Sequence, residues 1–308
     1  MRWLRIALAL LLGLALLLFA LSFVAEPVPP TGAWLERAGL SARFETVDGV
    51  PIRYVRAGQG PPLVLVHGFG SSVYTWADLL PELARSHDVV ALDLPGFGGS
   101  GLPEALSFEH LPEAVVGLMD RLGLERASLV GNSLGGATVA WIAATRQGRV
   151  ERLVLVDAAG FQFTASERPL LLRLLALPGA SLLQRLPLRR AIVRTALRQT
   201  FADPTRISDE DLDEYVAPAL RAEVGEAALA LARYPGPGPE VLRALLGRVR
   251  APALVIWGRE DRWIPLEHAE RFHQALSGSR LVVLDGAGHL PQEERPAEVL
   301  RLLREFLG

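Results

Sequence analysis

The chain has no cysteine, no lysine and a single asparagine, Asn132. Without cysteine there is no disulfide, no thiolate nucleophile and no zinc–thiolate site. Without lysine there is no Schiff-base chemistry and no P-loop, whose lysine reaches the phosphates. All 32 basic residues are therefore arginine, set against 34 acidic ones. The formal net charge of −2 gives no reason to expect nucleic acid as a partner.

What is present begins with hydrophobicity. Half of the 308 residues are apolar, enough to bury one large core and to carry an insertion on it. Residues 6–24 are all apolar or small except Ser22, and Arg2 and Arg5 stand before them. A run of this length is close to the ~20 residues of a spanning helix and longer than most secretory h-regions. It reads as an uncleaved signal anchor over residues 1–25, with a cleaved signal peptide as the alternative. The two arginines hold the N-terminus in the cytoplasm, so the remainder is expected on the extracytoplasmic side, or secreted if the segment is removed.

A proline-rich linker and lead-in follow at 26–40. Short runs then read as strands: Arg43–Val47, Ile52–Arg56, Leu63–Val66, Val89–Leu92, Ala127–Val130, Leu153–Val156, Ala253–Trp257 and Leu281–Leu284. The first two, joined through Asp48-Gly49, read as a hairpin. The later ones are continuous apolar runs, the signature of a parallel sheet buried on both faces. Helix-like stretches alternate with them at Tyr74–Arg85, Phe108–Leu122, Leu134–Arg146, Leu266–Leu276 and Ala297–Phe306. This alternation predicts an α/β fold, a mostly parallel twisted sheet of about eight strands with helices on both faces. It stops between residues 161 and 246, where leucine and arginine dominate and prolines cut the chain into short helices. That stretch reads as a helical cap over the sheet's C-terminal edge, inserted between core segments 41–160 and 247–308.

Gly131-Asn132-Ser133-Leu134-Gly135 joins one of these strands to a helix. A serine between two glycines at a strand-to-helix turn is the nucleophile-elbow pattern, in which strain lifts the hydroxyl clear of its neighbours. Chemistry at such a serine needs a base, an acid to orient it, and donors for a developing oxyanion. His289 follows the last strand on a glycine-rich loop and is the candidate base; His67 reads better as a residue that fixes its own loop. Asp261 lies just past the strand Ala253–Trp257 and is the candidate acid, with Asp157 and Glu260 as rivals. The amides of Phe69, in His67-Gly68-Phe69-Gly70, and of Leu134 are the candidate oxyanion donors. Gly96-Phe97-Gly98-Gly99-Ser100-Gly101 satisfies the dinucleotide pattern, but Leu102-Pro103 follows where a helix should open. It reads as a surface loop, and no cofactor or metal is expected.

Taken together, HGFG at 67–70, DLPGFGGS at 93–100, GNSLGG at 131–136, GREDRWIP at 258–265 and GAGHLPQEERP at 286–296 resemble the α/β-hydrolase superfamily, in its chain order. The resemblance implies a Ser133–His289–Asp261 triad, a Phe69/Leu134 oxyanion hole and a cap after the sixth strand. Serine at 133 sets the chain apart from members with an aspartate nucleophile, and GNSLGG is similar to carboxylesterases and lipases. It is also similar to carbon–carbon bond hydrolases, which usually carry an aromatic residue after the histidine where this chain has Leu290. The expectation is a serine esterase, lipase-like, acting on a small-molecule or lipid-like ester, with Trp263 and Phe161 in the substrate wall. Perhydrolase activity, acyl transfer to a non-water acceptor at the membrane and a non-catalytic receptor on the same fold are the alternatives.

Overall fold

A computed structural model describes residues 2, 3, 6, 13, 27–164, 167, 169–181, 189–234 and 239–308. The apolar run at 6–24 lies, apart from residues 6 and 13, outside the described residues. Among the described residues no helix is long and apolar enough to cross a membrane.

Eight strands form one sheet: β1 Ala42–Val47, β2 Val50–Ala57, β3 Pro62–Val66, β4 Asp88–Leu92, β5 Ala127–Asn132, β6 Val150–Val156, β7 Ala253–Gly258 and β8 Arg280–Leu284. Their spatial order is β1-β2-β4-β3-β5-β6-β7-β8, antiparallel in the β1–β2 and β2–β4 pairs and parallel elsewhere. The hairpin turns through Asp48 and Gly49, both at positive φ (48° and 82°), the backbone twist that suits a two-residue connection.

Period-two alternation then sorts the apolar side chains of the central strands to opposite faces. Val64, Val66, Val90 and Leu92 belong to a core with helices His110–Arg121, Leu134–Thr145 and Glu267–Ala275. Leu63, Leu65, Val89 and Ala91 belong to a second core with Ala33–Arg37, Leu80–Leu83 and Pro296–Leu307. Because β3 sits between β4 and β5, the chain leaves β3 in one direction and later returns to its other side. That reversal opens a crevice at the C-terminal ends of β3 and β5, where the loops after residues 66 and 132 meet.

The stretch expected as one helix over Tyr74–Arg85 is instead a 3-10 turn at Val73–Trp76 and a short helix at Leu80–Leu83. Pro81 has no N–H to continue a helix from the preceding turn, so it serves as a helix-starting residue here. Between β6 and β7, helices form at Leu170–Ala176, Arg189–Thr200, Asp209–Ala219, Ala222–Ala232 and Pro239–Leu246. Ser208 and Asp211 close the first turn of the third as a capping box.

Candidate active site

Ser133 stands between β5 and the helix Leu134–Thr145 at φ 53°, ψ −117°, a region that L residues with side chains rarely occupy. The turn is tight enough to dictate the glycines around it. A Cβ on Gly131 would come within 2.3 Å of the Gly135 carbonyl oxygen, and one on Gly135 within 2.2 Å of that of Val66. The serine N–H donates to the Val156 carbonyl (3.0 Å), which pins the turn to the next strand.

His289 is buried on the loop after β8, its N–H donating to the carbonyl of Thr200 (2.6 Å). Its Nδ1 is 2.8 Å from Asp261 Oδ2. The other Asp261 oxygen, Oδ1, accepts from the amides of Trp263 (2.7 Å) and Ile264 (3.0 Å), so the carboxylate is locked in orientation. A proton on Nδ1 shared with Asp261 leaves the Nε2 lone pair for another group. The Trp263 ring lies nearly parallel to the imidazole at 5.8 Å and restricts its rotation. Asn132 ties the two loops together: its Nδ2 donates to the carbonyls of Val156 and His289, both at 3.1 Å.

The rivals make other bonds. Asp157, also at positive φ (43°), is fully buried beside Asp261 and accepts from the Gly258 N–H (2.9 Å) rather than from His289. Ligand atoms of Asp157, Asp261 and His289 lie within 4.8 Å of one another. Burial first, and the Asp261 charge second, push the Asp157 carboxyl well above the usual carboxylate range. Its Oδ2 has no donor to accept from, so a proton there turns a repulsive pair into a hydrogen bond to Asp261. Glu260 points away and accepts from the Ala287 N–H (3.2 Å). His67 has both nitrogens engaged, Nε2 accepting from the Leu94 N–H (2.9 Å) and Nδ1 donating to the Gly68 carbonyl (2.7 Å). Burial lowers its pKa, and the neutral ring joins two loops.

Leu134 follows the serine at the start of its helix, where N–H groups lack intrahelical partners, and the loop that carries Phe69 comes close at Gly68, whose added Cβ would meet Ser133 Cβ at 2.9 Å. Phe69 is set by an edge contact with Phe97 at 5.6 Å. In the glycine-rich loop 96–101, Gly99 N–H goes to Asp93, Gly96 N–H to the Gly101 carbonyl and Gly101 N–H to the Pro51 carbonyl. With Arg53 also on Asp93 (2.9 Å), this loop is internally bonded and offers no phosphate cradle.

Ser133, His289, Phe69, Leu134, Trp263 and Phe161 all line one cavity of about 620 Å³. Phe161 is buried against Phe272 at 4.9 Å. Leu171, Leu172, Leu175, Ile192 and Val193 close the cavity from the helices between β6 and β7. Three contributors were not legible in the sequence: the Asn132 brace, Tyr215 and the acidic pair Glu293–Glu294. Glu294 holds the histidine loop, accepting from the N–H groups of Gly288 (2.6 Å) and Ala202 (2.7 Å). Tyr215 lines the cavity, lies 3.4 Å from Ser71 Oγ and donates to Glu293 Oε1 (2.6 Å). Only their place directly after the His289 loop, in the run Glu293-Glu294, pointed their way.

Comparison with known proteins agrees with this fold. The family described as "alpha/beta hydrolase fold" matches residues 61–296. An uncharacterised protein of Mycobacterium tuberculosis is 32% identical over 279 residues, covering 86% of this chain and 80% of its own. The 2-hydroxy-6-oxo-2,4-heptadienoate hydrolase of Pseudomonas putida is also 32% identical, over 86% of this chain and 96% of its own. Among solved structures, a bacterial membrane phospholipase A superposes with a TM-score of 0.74 at 29% identity, covering 100% of this chain and 98% of its own.

Proposed function

The chain belongs to the α/β-hydrolase fold family, and from that premise we propose that it is a serine hydrolase cleaving carboxylic esters. The observation that carries this reading is the strained Ser133 on the same cavity as a His289 already held by Asp261 at 2.8 Å. His289 Nε2 takes the hydroxyl proton as Ser133 Oγ attacks the ester carbonyl carbon. Negative charge builds on the carbonyl oxygen and is met by the N–H groups of Phe69 and Leu134. The imidazolium, stabilised by Asp261, gives its proton to the departing alcohol, leaving an acyl-enzyme. Water then enters, and the same proton transfers release the acid.

The cavity wall supports an ester with an apolar acyl part. The helical stretch 161–246 acts as a cap in this reading, and its leucines supply the acyl-facing surface. We place the catalytic unit on the extracytoplasmic side of a membrane, tethered by residues 6–24. Arg2 and Arg5 before that run support this, as does a likeness to a membrane phospholipase A that extends over the whole chain.

A second reading, carbon–carbon bond hydrolysis, draws on the likeness to the Pseudomonas putida hydrolase, whose name specifies a dienoate. A carboxylate in the substrate needs a cation in the wall. Among the described lining residues the guanidinium there is Arg189, whose Nη1 donates to the Leu220 carbonyl (2.7 Å) and whose positive charge that neutral acceptor leaves in place. The deciding assay compares p-nitrophenyl esters of graded acyl length with a dienoate substrate, in the wild type and in Ser133→Ala. Esters cleaved by the wild type alone support the proposal. Equal ester rates in both proteins, or turnover of the dienoate only, overturn it.

A further inference from the structure

From residue 33 onward, the large apolar side chains left exposed among the described residues are Phe44, Leu170, Leu174 and Leu177. Three of these four lie on one helix and its end, at i, i+4 and i+7, a spacing that puts them on a single face. They are 56%, 40% and 54% exposed. The same helix sends Leu171, Leu172 and Leu175 into the catalytic cavity. It is apolar on both sides, and it is the wall between the cavity and solvent. A helix of a water-facing surface has no use for that second apolar face.

Charge points to what covers it. Residues 161–200 hold seven arginines and one acid, Glu167, so this stretch is net +6 in a chain whose net charge is −2. Arg173 on the exposed helix, and Arg194 and Arg198 on the helix Arg189–Thr200 of the same stretch, are exposed. Exposed leucines with arginines about them are the composition of a surface that sinks shallowly into a bilayer bearing anionic headgroups. The chain's entry into the fold also lies against the helices between β6 and β7. Gly32 N–H donates to Glu214 (2.5 Å) and Arg37 pairs with Glu210 (2.5 Å), both on the helix Asp209–Ala219 that packs on Arg189–Thr200. The apolar run that precedes the linker therefore joins the folded part at the helices between β6 and β7, next to the partner of the arginine-bearing helix Arg189–Thr200.

We infer that Leu170, Leu174, Leu177 and the neighbouring arginines form a docking face for an anionic lipid bilayer, one helix away from Ser133. Lipid acyl esters then reach the cavity from the bilayer without crossing water. The substrate half of this inference rests on the ester-hydrolase reading above; the docking half does not.

The absence of cysteine makes the test clean. Full-length Leu174→Cys and Glu298→Cys, the second on the helix Pro296–Leu307 under the opposite sheet face, are labelled with an environment-sensitive dye and incorporated into vesicles. With phosphatidylglycerol in the phosphatidylcholine vesicles, the label at 174 blue-shifts and is quenched by nitroxide lipids, while the label at 298 is not. A label at 174 that stays in water, or equal responses at both sites, overturns the inference. So does a shift at 174 that tracks protein concentration in detergent without vesicles, which assigns the face to a second copy of the chain. A second arm uses Leu170→Ser/Leu174→Ser/Leu177→Ser, none of which lines the cavity. Its turnover of a bilayer-embedded ester should fall on the order of tenfold, with a soluble short-chain ester unchanged within about twofold. An equal fall on both substrates makes the face merely structural. If the wild type cleaves neither ester, the hydrolase reading fails while the label result still decides docking.

Discussion

Replacing Glu293 with glutamine should remove a large part of the stability the protein loses as pH rises from about 4.5 to 8. Glu293 Oε1 accepts from Tyr215 Oη (2.6 Å) and from Thr75 Oγ1, and Gln292 Nε2 donates in turn to Thr75 Oγ1 (2.8 Å). The cluster joins the helix Asp209–Ala219 to the core, and it contains no cation. Burial is the main cause that raises the Glu293 carboxyl from 4.5 to about 8. The native state therefore keeps a proton that the unfolded chain releases near pH 4.5. Between about pH 4.5 and 8 the native state binds more protons than the unfolded one, so stability falls as pH rises, at up to 1.36 kcal/mol per unit. Over that window the loss reaches about 5 kcal/mol, a ceiling because the side chain borders a polar cavity of about 250 Å³ that admits water. Glutamine keeps the accepting oxygen and has no proton to lose. The measurement is urea unfolding of wild type and Glu293→Gln from pH 5 to 9. The free-energy difference between the two should move in favour of the variant as pH rises, and level off above about 8. A difference that is flat with pH, or that moves the other way, refutes the assignment of a neutral, buried carboxylic acid.

Four further outcomes follow from the same structure. Asp157→Asn preserves the acceptor for the Gly258 N–H and supplies an N–H toward Asp261, so esterase activity should stay within about threefold of wild type, whereas Asp157→Ala, which strands that amide, should lose ~1–3 kcal/mol in denaturant titration. Gly131→Ala sets a Cβ against the Gly135 carbonyl at 2.3 Å and should cost at least about 2 kcal/mol and most of the activity, read by thermal melting and ester turnover. His268 is buried between Phe161 and Phe163 with neither ring nitrogen hydrogen-bonded, and burial lowers its pKa. The folded state therefore resists protonating it, stability falls as pH drops below about 6.5, and His268→Leu should raise the melting temperature most under acidic conditions. Ser133→Ala should fold normally and lose on the order of 10⁴-fold or more in kcat, by stopped-assay comparison.

The sheet was legible because its signal is local and redundant. Each of β3 to β7 carries a short apolar run buried on both faces, and the Asp48-Gly49 turn announces the antiparallel β1–β2 hairpin. Where a single residue decides, local reading slipped: Pro81 splits a stretch whose apolar spacing alone reads as one helix. The candidate site divides the same way. Ser133, Asp261 and His289 each follow a strand on a loop, so their positions could be read in order along the chain. Asp157 also ends a strand, so strand position alone left it a rival of Asp261, and it was the resemblance around GREDRWIP that implied Asp261 as the partner of the imidazole. That pairing depends on Trp263 and Ile264 turning their amides onto Asp261. The Asn132 brace spans 157 residues and the Tyr215–Glu293 bond 78, pairings that no periodicity encodes. Within the helical stretch, leucines come in unbroken runs such as 170–172, so prolines marked breaks but not which leucines face inward.

Asn132 is the chain's only asparagine, and its two donated hydrogen bonds give that fact a chemical edge. Asparagine ages: its amide hydrolyses to a carboxylate without any enzyme, faster with heat. At most positions that adds one surface charge. Here it would replace an NH₂ group by an oxygen facing two carbonyl oxygens, at the joint between the serine turn and the histidine loop. The molecule thus carries a single asparagine clock, and it is set where one tick would push the two loops apart.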